Sequence, residues 1–455
     1  MMTRFESARR GAGACVLALA LVACNVDEML DVPDPDVATP TSIADKSALP
    51  TVLAGAQADI QVAYNGNVDM SVITGTGLFT DEFIWAETFP TRFEVDSRSI
   101  QTNNTTMLAL FRNMQRARQS AVRAARAFTR FDPGAQGRLE ALNLEGLVYI
   151  WFGENYCNGV PFSDVDDAGV QTFGKPMTNV EMFQTAIARF DSVLSLSGNA
   201  GNMATLAHLL KARASLDLNQ TTQAAAEAAQ VPTGFAYTQL HSENTTRQYN
   251  GTFEIVYRGR RFSVGNNEGG NGLPYRTDGA PAADGGSGAR DPRVLNARTG
   301  PNPGGDALPI TPFDNSTAYF AEQKYLARNV TDEIATYVEA RLIEAEVSMR
   351  GGNPAWVVTV NALRSPLGLG PLVDPGTQTA REDLFFKERA YFLWLTGHRL
   401  GDLRRLVRQY GRNQANVFPN GPYFKGGSYG TDVNFPIPVE ENNNPNSQGC
   451  IDRNA

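Results

Sequence analysis

Residues able to do chemistry are few and badly spaced for it. His208, His241 and His398 are the three histidines in 455 residues, and no two share a metal-ligand spacing. Gly426-Gly427-Ser428-Tyr429-Gly430 fits G-x-S-x-G, the pattern that exposes a nucleophilic serine. That device needs a strand before it and a helix after it, and Thr431–Pro438 is extended and punctuated by proline. Asp164, Asp166 and Gly169 open like a calcium loop, but Lys175 stands where an EF-hand needs glutamate. Gly75-Thr76-Gly77 is too short to cradle a phosphate. A glycosidase pair is defined by a distance in space, which sequence does not carry. The expectation is no catalytic residue, no cofactor and no bound metal.

One chemical signal is strong. Arg4, Arg9 and Arg10 precede the apolar run Gly11–Ala23, which ends in Leu21-Val22-Ala23-Cys24. The run is too short to span a bilayer and reads as a secretory signal. Its end is similar to a lipobox, where cleavage precedes a cysteine that is then acylated, so Cys24 is the expected lipidation site. An ordinary signal with a chance cysteine is the alternative. Each buried CH₂ contributes ~0.8 kcal/mol, and two or more acyl chains make a stable anchor. Asn25 and the pair Asp27-Glu28 follow, and an acidic pair there resembles a surface-export signal. Asp31–Pro40 is rich in Pro and Asp and should be an extended tether. The expected organisation is a signal peptide over 1–23, a lipidated tether over 24–46 and one domain over 47–455.

Of four cysteines, Cys15 leaves with the signal and Cys24 is acylated. Cys157 and Cys450 remain, an even pair in an oxidising compartment, and we expect a bridge, with two buried thiols as the alternative. Chain-entropy arguments give about 4–5 kcal/mol for so long a loop, as an upper figure. The chain is 42% hydrophobic and 19% charged, enough for a sizeable core. The first 23 residues hold three Arg and one Glu, so the rest carries 37 basic and 47 acidic side chains, a net charge of −10. An acidic chain without a basic block is a poor nucleic-acid binder.

Positioning falls to helices. Apolar spacing predicts them over 47–64, 107–128, 137–156, 178–196, 203–218, 220–230, 331–349, 354–363, 382–396 and 399–409. Thr178 caps one, with Glu181 in its first turn, and Asp332 is expected in the first turn of another. Successive helices pair across short turns in a TPR-like way, although no strict repeat consensus is present. The stretch 65–99 reads as irregular, and Phe253–Tyr257 as a short strand. Between 233 and 320 the chain becomes loop-like; Gly265–Gly305 holds 11 glycines and reads as exposed irregular loop. The fold class is mostly α: a TPR-like helix-pair scaffold with long irregular insertions and few short strands.

Arg381–Val407 is the densest stretch, two helices meeting at Gly397. Phe385, Phe392 and Trp394 make the first apolar nearly all round, so its charges must be paired. We expect Glu388 or Asp402 to meet Arg399 or Arg405 across the turn. Glu388-Arg389, Gly397-His398-Arg399 and Asp402-Leu403-Arg404-Arg405 resemble the C-terminal signature of the SusD/RagB family. Phe392 and Thr396 stand where that family commonly carries acids. The penultimate pair, Tyr337–Glu346 with Asn361-Ala362-Leu363-Arg364, and the closing Phe435-Pro436-Ile437-Pro438 are similar too. The resemblance implies a non-catalytic outer-membrane lipoprotein, exposed at the cell surface. It would bind a glycan or other polymeric nutrient and deliver it to a TonB-dependent, SusC-like transporter. Sugars suit aromatic platforms with Asn, Asp and Arg, which makes Trp85, Phe89, Arg92, Asn103, Tyr275, Arg276 and Tyr319 the loop candidates; none lies on a family motif. The alternatives are a scaffolding lipoprotein that binds only proteins through its helices, and a cryptic glycoside hydrolase.

Overall fold

A computed structural model describes residues 45–66, 70–298 and 311–455. The signal segment, Cys24 and the tether up to residue 44 lie outside the described residues, as does the stretch 299–310 of the glycine-rich segment.

The chain begins with α1 (Leu49–Asn65), α2 (Val72–Phe79), the short strand β1 (Phe83–Trp85) and α3 (Pro90–Asp96). The long α4 (Thr105–Phe131) and α5 (Gln136–Asn155) follow, and after small hairpins come α6 (Asn179–Ser197), α7 (Asn202–Asp217) and α8 (Thr221–Ala228). Strands β2 (Ala236–Gln239) and β3 (Phe262–Val264) lie in the loop-rich middle, with the short helix α9 (Tyr275–Gly279) after them. The C-terminal part holds β4 (Asp332–Thr336), α10 (Tyr337–Arg350), α11 (Trp356–Arg364), α12 (Gln378–Phe392) and α13 (Arg399–Tyr410). All strand pairs are two-stranded and antiparallel; β1 pairs β3 and β2 pairs β4. Among the described residues no helix is long and apolar enough to cross a membrane.

Helices pack as consecutive pairs, α5 on α6, α7 on α8 and α10 on α11. The α5–α6 contact is close because α5 has glycine at two positions one face apart: a Cβ on Gly146 would lie 2.4 Å from the Phe190 ring, and one on Gly153 2.7 Å from Phe183. Thr178 and Glu181 form a reciprocal cap at the start of α6, with the Glu181 carboxylate 2.7 Å from the Thr178 N–H.

Several expectations are corrected. The stretch 65–99 is not irregular: it contains α2, capped by Ser71 and Thr74, then β1 and α3. Its glycines are buried against helices rather than exposed in loops. Phe253–Tyr257 is not a strand but part of a helical turn that widens into a π turn, Glu254–Arg258. A short, mostly apolar run does not distinguish the two by periodicity. The helix expected from Thr331 begins at Tyr337, because Asp332–Thr336 pairs with β2 as a strand. The glycine-rich middle is not all exposed loop, since Tyr275, Val294 and Ala297 join the main core.

The two C-terminal helices do not lie flat on one another: α12 packs on α10, while α13 packs on α2 and α5. Charges join them instead. The Arg389 Nε donates to both oxygens of Asp402 at 2.8 and 2.9 Å, across the turn. Arg405 donates to Asp402 at 2.7 Å within α13 and also meets Glu346 of α10. Burial would raise the Asp402 carboxyl, yet Arg389 and Arg405 beside it bring it down to about 2. The other two expected partners look elsewhere: Glu388 binds Arg293 and Arg364 at 2.5 and 2.7 Å, and Arg399 makes a bidentate pair with Asp81, both bonds 2.8 Å.

The turn between the helices is fixed from several sides. Gly397 has φ +77°, and a Cβ there would sit 2.8 Å from Val72. Leu395 also has positive φ, 53°, strained for a branched residue. Its N–H donates to Glu82 at 2.9 Å, and its carbonyl accepts from Tyr325 at 2.8 Å. Lys324 donates to the Trp394 carbonyl at 2.6 Å and Tyr64 to that of Thr396 at 3.1 Å.

Cys157 and Cys450 are joined by a disulfide that spans 293 residues. Main-chain bonds flank it, from Cys157 N–H to the Phe435 carbonyl at 3.1 Å and from Ile451 N–H to Asn158 at 2.8 Å. Reduction should therefore lower the urea midpoint, by about 2–5 kcal/mol of stability, while helical circular dichroism stays unchanged in water. Two free thiols in the unreduced, unfolded protein would contradict this.

A second expectation concerns pH. Burial pushes the Glu82 carboxyl from its ordinary 4.5 up to about 8. The folded state thus keeps a proton that the unfolded chain releases near 4.5. The contribution is full below that pH and is lost as pH rises towards 8, at most about 1 kcal/mol per pH unit. Urea midpoints should fall from pH 5 to pH 9, and Glu82→Gln should flatten the slope; an identical slope in the variant would refute the assignment.

Candidate functional site

Strand β1 carries the chain from the core to the surface. Its root is held by Asp81 and Glu82, both buried, and its end is Trp85, half-buried. Trp85 pairs with Phe262 across the β1–β3 ladder, and the Ala86 N–H continues the pairing to the Arg261 carbonyl at 2.8 Å. Pro90 sets the start of α3, which turns Phe89 outward and Arg92 and Phe93 back beside it.

An aromatic and cationic patch is built on this frame. Of the four phenylalanines more than 40% exposed among the described residues, three meet here: Phe89, Phe313 and Phe424. The Arg261 guanidinium lies between two of them, 4.9 Å from the Phe89 ring centre and 4.7 Å from Phe313. Arg92 lies 5.3 Å from Phe89. Lys425 stands 4.0 Å over the Trp85 ring and 5.5 Å from Phe424. Trp85 also packs on Phe93 at 5.2 Å, Phe93 on Tyr423 at 5.4 Å and Tyr423 on Phe424 at 4.7 Å. Such ring contacts add about 0.5–1.5 kcal/mol each beyond area burial.

Two carboxylates hold the cations in place. Glu87 is fully buried and accepts from Arg92 at 2.8 Å and from Arg261 at 2.6 Å. Asp314 is bonded by Lys425, and its N–H reaches the Ala86 carbonyl at 3.1 Å. Burial alone would raise Asp314, but Lys425 and the neighbouring hydroxyl and amide donors bring it to about 2. Beneath the rings, Asp96 accepts from the Trp85 N–H at 2.8 Å and from the Tyr423 hydroxyl at 2.6 Å. Burial pushes Asp96 up to about 8, so it is neutral at pH 7.

Trp85, Phe89 and Arg92 are thus brought together, though not as loop residues: Trp85 ends a strand and Arg92 is a buried helical side chain. Asn103 is exposed in the turn before α4. Tyr275, Arg276 and Tyr319 lie elsewhere. Tyr275 is fully buried, 5.3 Å from Tyr391 and 6.1 Å from Trp394, and Tyr319 is buried with its hydroxyl on the Val256 carbonyl. Neither presents a face to a ligand. Arg276 donates to the Val264 carbonyl at 3.0 Å and covers Phe320. Arg261, Phe313, Phe424 and Lys425 were not anticipated; the visible signal was a phenylalanine and a cation beside turn residues, as in Phe424-Lys425-Gly426-Gly427.

The G-x-S-x-G stretch forms a turn closed by a bridge between Pro422 and Ser428, without the flanking strand and helix of a nucleophile elbow. Asp164 pairs with Arg126 and Gln119. Among the described residues no three His, Cys, Asp or Glu side chains converge as a metal site. What the patch offers is stacking area, fixed guanidinium and ammonium donors, and carboxylate acceptors on a rigid base.

No family model and no curated protein sequence matches the chain. Solved structures do. The surface glycan-binding protein A from Bacteroides thetaiotaomicron is 12% identical with TM-score 0.63, covering 90% of this chain and 100% of that one. A laminarin-binding SusD-like protein is 15% identical with TM-score 0.67, covering 90% and 99%. A SusD-like protein from Bacteroides fragilis is 13% identical with TM-score 0.66, covering 91% and 98%. At such identities the likeness is one of architecture: mostly helical, with paired helices and small sheets, the chain has the SusD-like fold.

Proposed function

We propose that this protein is a non-catalytic, cell-surface lipoprotein of the outer membrane. Acyl chains on Cys24 anchor it, and it captures an oligosaccharide or other polymeric nutrient for a TonB-dependent, SusC-like transporter. The observation that carries the reading is the convergence of three exposed phenyl rings, Trp85 and fixed polar donors on one rigid face of a SusD-like scaffold. Sugar rings have apolar C–H faces and dense hydroxyls, and such a surface meets both. The names of two structural neighbours, one glycan-binding and one laminarin-binding, support the same ligand class. The lipobox-like Leu21-Val22-Ala23-Cys24 supports the anchor.

Native affinity electrophoresis and calorimetry against neutral and charged polysaccharides test capture. At least one polymer should bind, and the double variant Phe89→Ala, Phe424→Ala should weaken it about tenfold or more with an unchanged thermal midpoint. Silence across the whole panel would remove the glycan reading. For the anchor, the wild-type protein should incorporate labelled palmitate and fractionate with membranes, and Cys24→Ala should do neither. Recovery of a barrel partner with no polymer bound would favour the scaffolding alternative.

A further inference from the structure

The chain carries a net charge of −8, yet the aromatic patch is locally positive. Arg92, Arg260, Arg261 and Lys425 supply four cations, with Arg260 reaching the Thr311 carbonyl two residues from Phe313. Against them stand two carboxylates, Glu87 and Asp314. The nearby acids do not cancel the excess. Asp96 and Glu268 are both raised by burial, and Glu94, which accepts from Asn104 and the Gln101 N–H, lowers the excess without cancelling it.

The cations also change what the rings can do. Lys425 occupies one face of Trp85, and Arg261 is layered between Phe89 and Phe313. Each covered ring leaves a sugar only its exposed part, so the outward surface combines the exposed parts of Phe89, Phe313 and Phe424 with Arg261 and Lys425, both partly in solvent. Arg261 gives one nitrogen to Glu87 and keeps a quarter of its side chain in solvent, with the plane fixed by two rings. A fixed, stacked guanidinium edge matches a carboxylate in both geometry and charge.

Resting on the glycan reading above, we propose that the polymer captured here is anionic, a polysaccharide of hexuronate units whose carboxylates meet Arg261 and Lys425 while the sugar rings lie along Phe89, Phe313 and Phe424. The net negative charge of the chain does not by itself attract polyanions, so the attraction has to come from a local excess of cations such as this one.

The test is calorimetry of the purified protein with polygalacturonate, alginate and hyaluronan, each beside its carboxyl-methylated form, and with laminarin, xylan and starch as neutral polymers. At least one uronate polymer should bind about tenfold or more tighter than its methyl ester, and binding should weaken as salt rises from about 50 to about 500 mM. Arg261→Gln and Lys425→Gln should each reduce that affinity severalfold and reduce the ester's affinity less, so the ratio between acid and ester falls. Binding of neutral polymers or esters with equal strength, indifferent to salt and to both variants, would overturn the charge assignment and leave the glycan reading standing. Binding of no polymer at all would overturn both.

Discussion

The structure depends on the requirement that desolvated charge be paired. Arg389, Arg399, Arg404 and Arg405 are all almost fully buried around one turn, and their partners come from several parts of the chain. Arg399 takes Asp81 from the N-terminal region, Arg389 takes Asp402, and Arg405 takes Asp402, Glu346 and, at 3.7 Å, Asp217. Among the described residues Arg404 finds no carboxylate in hydrogen-bond contact; besides the Asn179 side-chain oxygen at 3.0 Å, it donates to the carbonyls of Gly153, Glu154 and Tyr156 at 2.7–3.1 Å. Those carbonyls end α5, where helix geometry leaves them without partners and the dipole favours a cation. Removing one member of such a set leaves its partner charged and buried, at a cost of about 3–5 kcal/mol. The turn therefore specifies which distant segments must meet.

The same constraint reaches the surface patch through five residues. Asp81 is bound by Arg399, Glu82 by the Leu395 N–H, and the strand from Phe83 to Trp85 starts there. The side chain of Trp85 emerges at a place fixed by charges far below it. Asp96 then ties the Trp85 backbone to the Tyr423 hydroxyl, so the C-terminal loop bearing Phe424 and Lys425 is docked on the same floor. Buried ion pairs are weak evidence for stability in general. Here their role is registration: they bring residues 85, 261, 313 and 425 to one place.

The helices were legible because their apolar residues repeat with helical period and some caps are conventional, as at Thr178-Glu181. Resemblance in the last quarter of the chain pointed to the architecture. Partners in three dimensions were not legible. Glu388 looked like a neighbour of Arg399 but is taken by Arg293 from the glycine-rich middle, a segment whose composition suggested open loop. The same assumption misplaced Tyr275, which lies between Gly272 and Gly279: glycine lets backbone pack closely, so an aromatic residue there can be core. Tyr319, in a stretch without glycine, is core as well. Asp332 was read as a helix-start acid, whereas it sits in a strand and binds His241 at 2.7 Å. Part of the patch, Trp85, Phe89 and Arg92, is local in sequence and could be found. Arg261, Phe313, Phe424 and Lys425 join it only through strand pairing and loop docking.

That outcome changes how capture is to be understood. Glycine-rich loops were expected to do the grasping, and a flexible loop would lose conformational entropy on every contact. The patch instead sits on β1, α3 and a docked loop, with its rings wedged against one another and its cations clamped by Glu87 and Asp314. Its clamped side chains keep less rotamer freedom than those of a free loop, so less would be lost on binding the ligand proposed above. A flat, repeating polymer would gain from this, since each sugar would meet a surface already shaped. The buried charges at the turn and the partly buried charges of the patch thus serve one end: the first set holds the frame rigid, and the second is held rigid by it.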